Sequence, residues 1–521
     1  MSTLPMAAVE AAPSHRPRTG RAAELGLLVF AVLIVVIAEG IVDATTGGRL
    51  DPHALGYGAA LGGVALVAHL VLRVVAPFAD PVLLPSVLLL NGLSLVMIHR
   101  LDIGLARAAR ENGETFDSAS AGAQVLWTAI GLGAFLTMLI AVRDHRAIAR
   151  YAYTLALVGL VLLVLPSVLP ARFSEVNGSK LWIRFAGFSI QPGEVAKLCL
   201  IAFAAAYLVS KRDVLALAGR RVAGIALPRG RDLGPLGAAW VLCIAVLASS
   251  KDLGTSLMFF GLFVVLLYVA TERVGWVAIG ALAFGVGAFA SYFLYGRFRV
   301  RVDVWLHPFD YTSTIGYQLT QSLFGLGTGG LFGTGWGGGR PETVPVAKSD
   351  FIISSFGEEL GLFGLAGMLM MYGIFVARGF SIALLVRDAF GKLLAAGLAF
   401  SVGFQAFVVV AGVTRALPET GLTTPFLSYG GSSLVANYAA LALLLRISDA
   451  ARRPAQDDQA APPAQEHQPA LARLPEQGAE PELAVRPGRT DSAVRPERAE
   501  LAVRPGRAEL AVRPERAEQV G

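Results

Sequence analysis

Apolar stretches of about twenty residues recur along this 521-residue chain, the first being ELGLLVFAVLIVVIAEGIV from Glu24. Each is long enough to cross about 30 Å of hydrocarbon as a helix. Lipid offers the backbone no hydrogen-bond partners, so spanning segments must be helices or a closed barrel. A barrel would show short alternating segments, and none occur. The chain is 55% hydrophobic and 16% charged, whereas soluble domains run to about a quarter charged. It therefore reads as an all-α polytopic membrane protein. Twelve spans are expected, at 24–43, 54–76, 82–99, 122–142, 151–171, 194–210, 233–250, 252–271, 274–295, 353–377, 391–413 and 425–446.

The first span follows a basic leader, SHRPRTGR, but is too long for a signal-peptide core and lacks a small-residue cleavage site. Basic connections (VRDHRAIAR, SKRDVLALAGRRVAGIALPRGRD and the arginines after Ser448) alternate with less basic ones, which places them and both termini in the cytoplasm. Their position between spans argues against nucleic acid as a partner. Cys199 and Cys243 both lie in apolar segments and read as small core residues, with no disulfide or metal spacing. From residue 450 the chain turns Pro-, Ala-, Glu- and Arg-rich and repeats a nine-residue unit such as AVRPERAEL, a composition that cannot build a core.

Two outer loops stand out: ARFSEVNGSKLWIRFAGFSIQPGE, and a long segment from Gly296 to about Ser349 containing GLGTGGLFGTGWGGG. A loop of that length in a compact protein is usually functional, and its glycines would let backbone N–H groups approach a ligand. Charged groups at membrane edges are the candidates for chemistry. Glu194 and Lys197 lie at i and i+3 and share a helical face. Lys251 and Asp252 separate two spans. Arg297, Arg299 and Arg301 alternate, as along one side of an extended strand or at a membrane exit where long side chains snorkel to headgroups; a pyrophosphate clamp is the functional reading. Asp350, with Glu358 and Glu359 beyond it, is either the N-cap of the following helix or a chemical group.

Five motifs in order bear on these readings: GSKLWIRFAGFSIQPGEVAK, KDLGTS, GYQLTQSLFGLGTGGLFGTGW, KSDFIISSFGEELG and TGLTTPFLSYGGSS. In this order the chain resembles the SEDS family (shape, elongation, division and sporulation), the RodA/FtsW group, and is closest to actinobacterial members of the rod-shape branch. The resemblance covers residues 82–449 and implies a ten-helix catalytic core with a large extracellular loop, 296–352. Residues 24–81 are then two added helices, 1–23 a cytoplasmic leader and 450–521 a disordered cytoplasmic tail. Departures occur at Leu181, where the family often has arginine before the tryptophan, at Lys251 before the Asp-Leu-Gly unit, and at His307 before the proline.

The implied activity is polymerisation of lipid II into β-1,4 glycan at the outer face of a bacterial plasma membrane, beside a class B penicillin-binding protein. The family's essential aspartate falls on Asp350 and its buried charged pair on Glu194 and Lys197. Contacts to lipid II and the growing glycan are expected from Lys197, Glu194, Trp182, Lys180, Asp252, Arg299, Arg301, Tyr317, Gln318, Gln321, Ser322, Glu358, Ser428, Tyr429, Gly430 and Gly431. Asp350 would act as base, with Arg299, Arg301 and Lys197 on the leaving pyrophosphate. A divalent cation, Mg or Mn, is compatible with carboxylates and phosphates. Two other functions fit the same charges: a lipid II flippase, and a non-catalytic scaffold for the penicillin-binding protein.

Overall fold

The computed structural model describes residues 19–47, 52–116, 119–176, 179–185, 188–216 and 253–454, with isolated positions between 221 and 241. The protein is an α-helical membrane bundle. Its long helices are α1 (Arg21–Thr46), α2 (Pro52–Val75), α3 (Leu83–Glu111), α4 (Ser120–Ala141), α5 (Ala152–Val168), α6 (Pro192–Ala216), α7 (Leu253–Thr271) and α8 (Val274–Leu294). After two shorter helices, α9 (Gly296–Leu306) and α10 (Tyr317–Gly329), come α11 (Ile352–Leu385), α12 (Ala389–Val413) and α13 (Gly431–Arg452). Among the described residues, eleven helices are long and apolar enough to span a membrane. The expected span 233–250 lies almost wholly outside the described residues, as do Lys251, Asp252, Cys243 and the tail from 455.

The helices are apolar on every side, as burial by both protein and lipid requires. In α1 a protein-facing stripe, Leu28, Ala31, Val35, Ala38 and Val42, is buried, while Phe30, Leu33 and Ile37 on other faces are exposed. In α8 only Gly280 is buried, and Leu282, Phe289 and Leu294 stand out as hydrocarbon-facing side chains. The interior is built on α3, α12 and α13, the most deeply buried helices. Around them α13 packs on α4, α5 on α6, α11 on α12 and α1 on α3.

Two boundaries differ from expectation. Helix α3 continues to Glu111, because Arg100 and Asp102 in its polar extension are buried against partners described below. Helix α13 starts at Gly431, because residues 424–429 bond to another loop rather than to helical neighbours.

The segment 296–352, expected as a long structureless loop, is instead largely helical, with 3-10 turns at Pro308–Tyr311 and Pro341–Thr343 between and after α9 and α10. The arginines of α9 therefore do not alternate along a strand. At 3.6 residues per turn Arg297 and Arg301 share a face and Arg299 points elsewhere.

At one end of the bundle, Asp80 is 0% exposed. It receives the Val82 N–H at 2.9 Å and Arg378 Nε at 2.9 Å, and pairs with Arg452. Asp449 accepts from Phe78 N at 2.9 Å and Arg453 Nη2 at 2.7 Å. These bonds tie the α2–α3 connection to α11 and α13.

Candidate active site

The opposite end carries the residues singled out from sequence. Helix α11 has Phe351, not Asp350, as its N-cap, with no side-chain capping bond. The capping reading of Asp350 thus fails. Its position is set from both sides by the α12–α13 connection. Ser428 Oγ donates to Ser349 O at 2.6 Å and receives the Thr424 N–H at 2.7 Å, while Tyr429 N donates to Lys348 O at 2.8 Å. Lys348 Nζ, one residue further back, pairs with buried Asp102 of α3 and donates to Ser120 Oγ at 3.0 Å. Asp102 in turn receives the Ala121 N–H at 2.8 Å. The half-buried Asp350 sits at the end of a segment whose backbone and lysine are both anchored.

The same connection gathers the other charges. Gly421 has φ +69°, and a methyl group added there would lie 3.5 Å from Arg301 Nη2, 3.7 Å from Asp350 Oδ2 and 3.9 Å from Glu419 Oε1. Arg301 Nη1 also donates to Thr420 O at 3.2 Å. Arg415 reaches back to the carbonyls of Trp305 and Leu306 at 2.8 Å each, and Trp305 Nε1 donates to Arg415 O at 3.0 Å, so the end of α9 is clasped to this loop. Gly254 of the KDLGTS motif abuts it as well: a Cβ there would be 2.6 Å from Thr420 O.

Below this surface, Lys197 Nζ donates to Glu194 Oε2 at 2.8 Å and to Gln405 Oε1 at 2.8 Å, all three side chains being buried. Gln405 Nε2 completes the ring, 3.4 Å from Glu194 Oε1, and donates to Thr423 O at 2.9 Å. The charged pair is therefore a closed triad that supports the connection from beneath; it does not present a free ammonium at the Asp350 surface.

Other predicted residues lie elsewhere. Arg299 turns back to Tyr292 O and Phe293 O, at 3.3 and 3.4 Å, and stacks over the Tyr292 ring. Glu358 accepts from Arg340 N at 2.6 Å. Its neighbour Glu359 pairs with Arg100 Nε at 2.8 Å and accepts from Gly337 N at 3.1 Å. These two carboxylates hold the glycine-rich loop. That loop's N–H groups, expected to face a ligand, are also engaged internally: Thr334 N and Gly335 N donate to Glu358 O and Glu359 O, both at 2.9 Å. Gly361, at φ +66°, breaks α11, and the N–H groups of Leu362 and Phe363 freed by the break bond to Gly330 O and Leu331 O at 2.9 and 3.1 Å. The glycines let two backbones meet.

In α10, Tyr317 is exposed, Gln318 and Gln321 are half-buried, and Ser322 is buried. Lys180 ends the first of two small antiparallel hairpins, β1–β2 (Glu175–Val176 with Ser179–Lys180), and half-buried Trp182 lies between it and the second, β3–β4 (Ile183–Phe185 with Phe188–Ile190). The following Gln191 N bonds Ser432 Oγ at 3.1 Å. Gly430 is extended, and at Gly431 a Cβ would fall 2.1 Å from the Trp127 ring. Burial raises the Tyr429 phenol above its ordinary pKa, with Asp102 adding to it, so the hydroxyl stays a donor at neutral pH.

Sequence reasoning missed Gln405, Lys348, Asp102, Arg100 and Glu419. Gln405 left one signal, a lone amide in an otherwise apolar span, which is costly without partners.

The model of the FtsW/RodA/SpoVE family, described as cell cycle proteins, matches residues 81–453. The chain is 51% identical over 436 residues to the peptidoglycan glycosyltransferase RodA of Mycobacterium tuberculosis, covering 84% of this chain and 92% of that one. It is 34% identical to a probable peptidoglycan glycosyltransferase FtsW of Trichlorobacter lovleyi, over 71% and 93% of the two chains. Among solved structures, a chain from work entitled "Structural coordination of polymerization and crosslinking by a peptidoglycan synthase complex" matches with a TM-score of 0.55 at 26% identity, covering 71% of this chain and 97% of that one.

Proposed function

The chain belongs to the FtsW/RodA/SpoVE family, and on that premise we propose how its charged surface polymerises glycan. It is a peptidoglycan glycosyltransferase, as its mycobacterial relatives are named, and serves cell-wall elongation and shape maintenance. The substrate is lipid II. Asp350 takes the proton from the GlcNAc 4-hydroxyl of one lipid II molecule. That oxygen bonds to the anomeric carbon of the MurNAc ending the growing chain, as its bond to undecaprenyl pyrophosphate breaks. A single displacement converts the α-linked donor to a β-1,4 product.

The observation that carries this reading is the convergence of Asp350, Arg301 and Glu419 on Gly421. A base needs geometry before basicity, and the two residues before Asp350 are anchored, Ser349 by Ser428 and Lys348 by Tyr429 and Ser120. The leaving pyrophosphate needs cationic donors, and Arg301 is the guanidinium beside the acid. Arg299 is turned back to the end of α8, so this reading gives it no part in the step, and Lys197 acts as a positioning residue through Gln405. Asp350 and Glu419 offer hard oxygen donors suited to Mg or Mn; a divalent ion bound by them would add positive charge for the pyrophosphate.

The basic residues Arg143, Arg146, Arg452 and Arg453 lie at the end of α4 and α13 remote from Asp350. By the positive-inside rule that end is cytoplasmic, and Asp350 faces outward, next to a partner class B penicillin-binding protein. The test is polymerisation of purified lipid II by the chain with its partner. Undiminished polymer from Asp350→Asn removes the base assignment. Movement of labelled lipid II across vesicles without polymer would favour a flippase.

A further inference from the structure

The chemistry proposed for the Asp350 end leaves one cluster unused, on the first added helix. Glu39 and Asp43, one turn apart on α1, meet His99 of α3. His99 Nε2 lies 3.6 Å from Glu39 Oε1 and 3.7 Å from Asp43 Oδ1, and one ligand atom from each side chain falls within 4.8 Å of the others. Glu39 is 2% exposed, and neither of its carboxylate oxygens has a hydrogen-bond partner among the described residues. The separations from His99 are too long for hydrogen bonds.

A buried carboxylate with neither oxygen hydrogen-bonded, as Glu39 is here, is costly unless a cation satisfies it. His99 lies beyond hydrogen-bond reach of it. Arg100, the next residue, is engaged with Glu359 and with Gly339 O at 2.7 Å. We propose that Glu39, Asp43 and His99 form a binding site for one divalent transition-metal ion of the Zn class. An imidazole nitrogen with two carboxylate oxygens suits Zn or Mn better than Ca or Mg, which prefer oxygen alone. Tetrahedral Zn with bonds of about 2.0 Å holds its ligand atoms roughly 3.3 Å apart, so a small inward movement of these side chains fills three of the four positions and leaves the fourth for a water. The Tyr57 ring packs edge-on to His99, with centroids 5.3 Å apart, and fixes the imidazole plane.

The ion would pin the end of α1 to α3. That end also touches the glycine loop, since Thr45 Oγ1 donates to Trp336 O at 2.9 Å. The site thus joins the added helix to the loop that Arg100 and Glu359 hold. It lies outside the Asp350 surface and does not rest on the catalytic reading.

The test is calorimetric titration of the full chain in detergent micelles, stripped with chelator, using Zn chloride. Wild type and Asp350→Asn bind one equivalent with equal affinity. Glu39→Gln combined with Asp43→Asn, and separately His99→Gln, weaken binding at least about tenfold, the low end for disturbing a metal site. In chelator the variants melt no lower than wild type, which shows that they are folded, and only wild type shifts upward on adding Zn. No binding by wild type, or equal binding by both sets of variants, overturns the proposal. Loss of binding in Asp350→Asn moves the ion to the other surface and overturns it equally.

Discussion

The two ends of α3 carry acids with opposite fates. Asp80, just before the helix, is sealed and surrounded by Arg378, Arg452 and the Val82 N–H. Asp350, on the segment anchored to Asp102 toward the other end, is half-buried, and the groups around it are held by one another. Lys348 is bound to Asp102, Ser349 to Ser428, and Arg301 partly to Thr420. A fully satisfied acid fastens helices. A partly exposed acid on an anchored segment can meet a substrate. Burial with every charge paired marks Asp80 as a fastening, whereas Asp350 differs by its partial exposure on an anchored segment.

The largest effect that could break this contrast is on rate. Asp350→Asn should lower glycan polymerisation by about 10²- to 10⁴-fold, the usual contribution of a positioned acid or base, with an unchanged thermal transition in detergent. A stability loss instead would make Asp350 another Asp80. Lys197→Met tests the buried triad and should cost about 3–5 kcal/mol of stability by stranding the Glu194 carboxylate. The double change Glu194→Gln with Lys197→Met should recover most of that loss, which chemical denaturation of both variants would measure. Arg301→Ala should reduce kcat about a hundredfold with little change in stability, as for removal of one donor from a developing anion; steady-state assay on lipid II decides it.

Smaller effects sharpen the same contrast. Gly421→Ala forces an L-residue into φ +69° and should cost about 1–2 kcal/mol, seen as a lower melting temperature. At the Asp80 end, Asp388 caps α12, accepting from Gly391 N at 2.7 Å and lying 2.9 Å from His145 Nε2. Burial alone would raise its pKa, but the Gly391 N–H, His145 and Arg146 outweigh it and leave the value lowered. A lowered native value means its stabilisation is present above the unfolded pKa, about 3.9, and disappears as pH falls through the native one. Asp388→Ala should cost about 1 kcal/mol at neutral pH and less in acid, which melting curves across that window would read.

Much of this was legible beforehand. Glu194 and Lys197 could be paired from their spacing alone, because neighbours three apart on a helix face one another. Asp350 stood out because an acid beside an apolar run is expensive. The third member of the triad, Gln405, comes from a helix more than 200 residues away, and no local spacing announces it. The glycine loop misled for a related reason. Glycine signals close approach, but only the tertiary contact tells whether a ligand or, as here, the backbone of Glu358 and Glu359 is what approaches.

By itself the amino-acid order determined that this chain is a bundle of membrane-crossing helices, since lipid forces each apolar segment to close its own backbone bonds. It also narrowed the chemistry to a few charged groups. Which of those groups fasten helices and which meet at one surface was decided only by the fold. Arg301, Glu419 and Asp350 lie up to 118 residues apart, and they share the edge of Gly421 because α9, α11 and the connection before α13 are clasped together by side chains that no periodicity records.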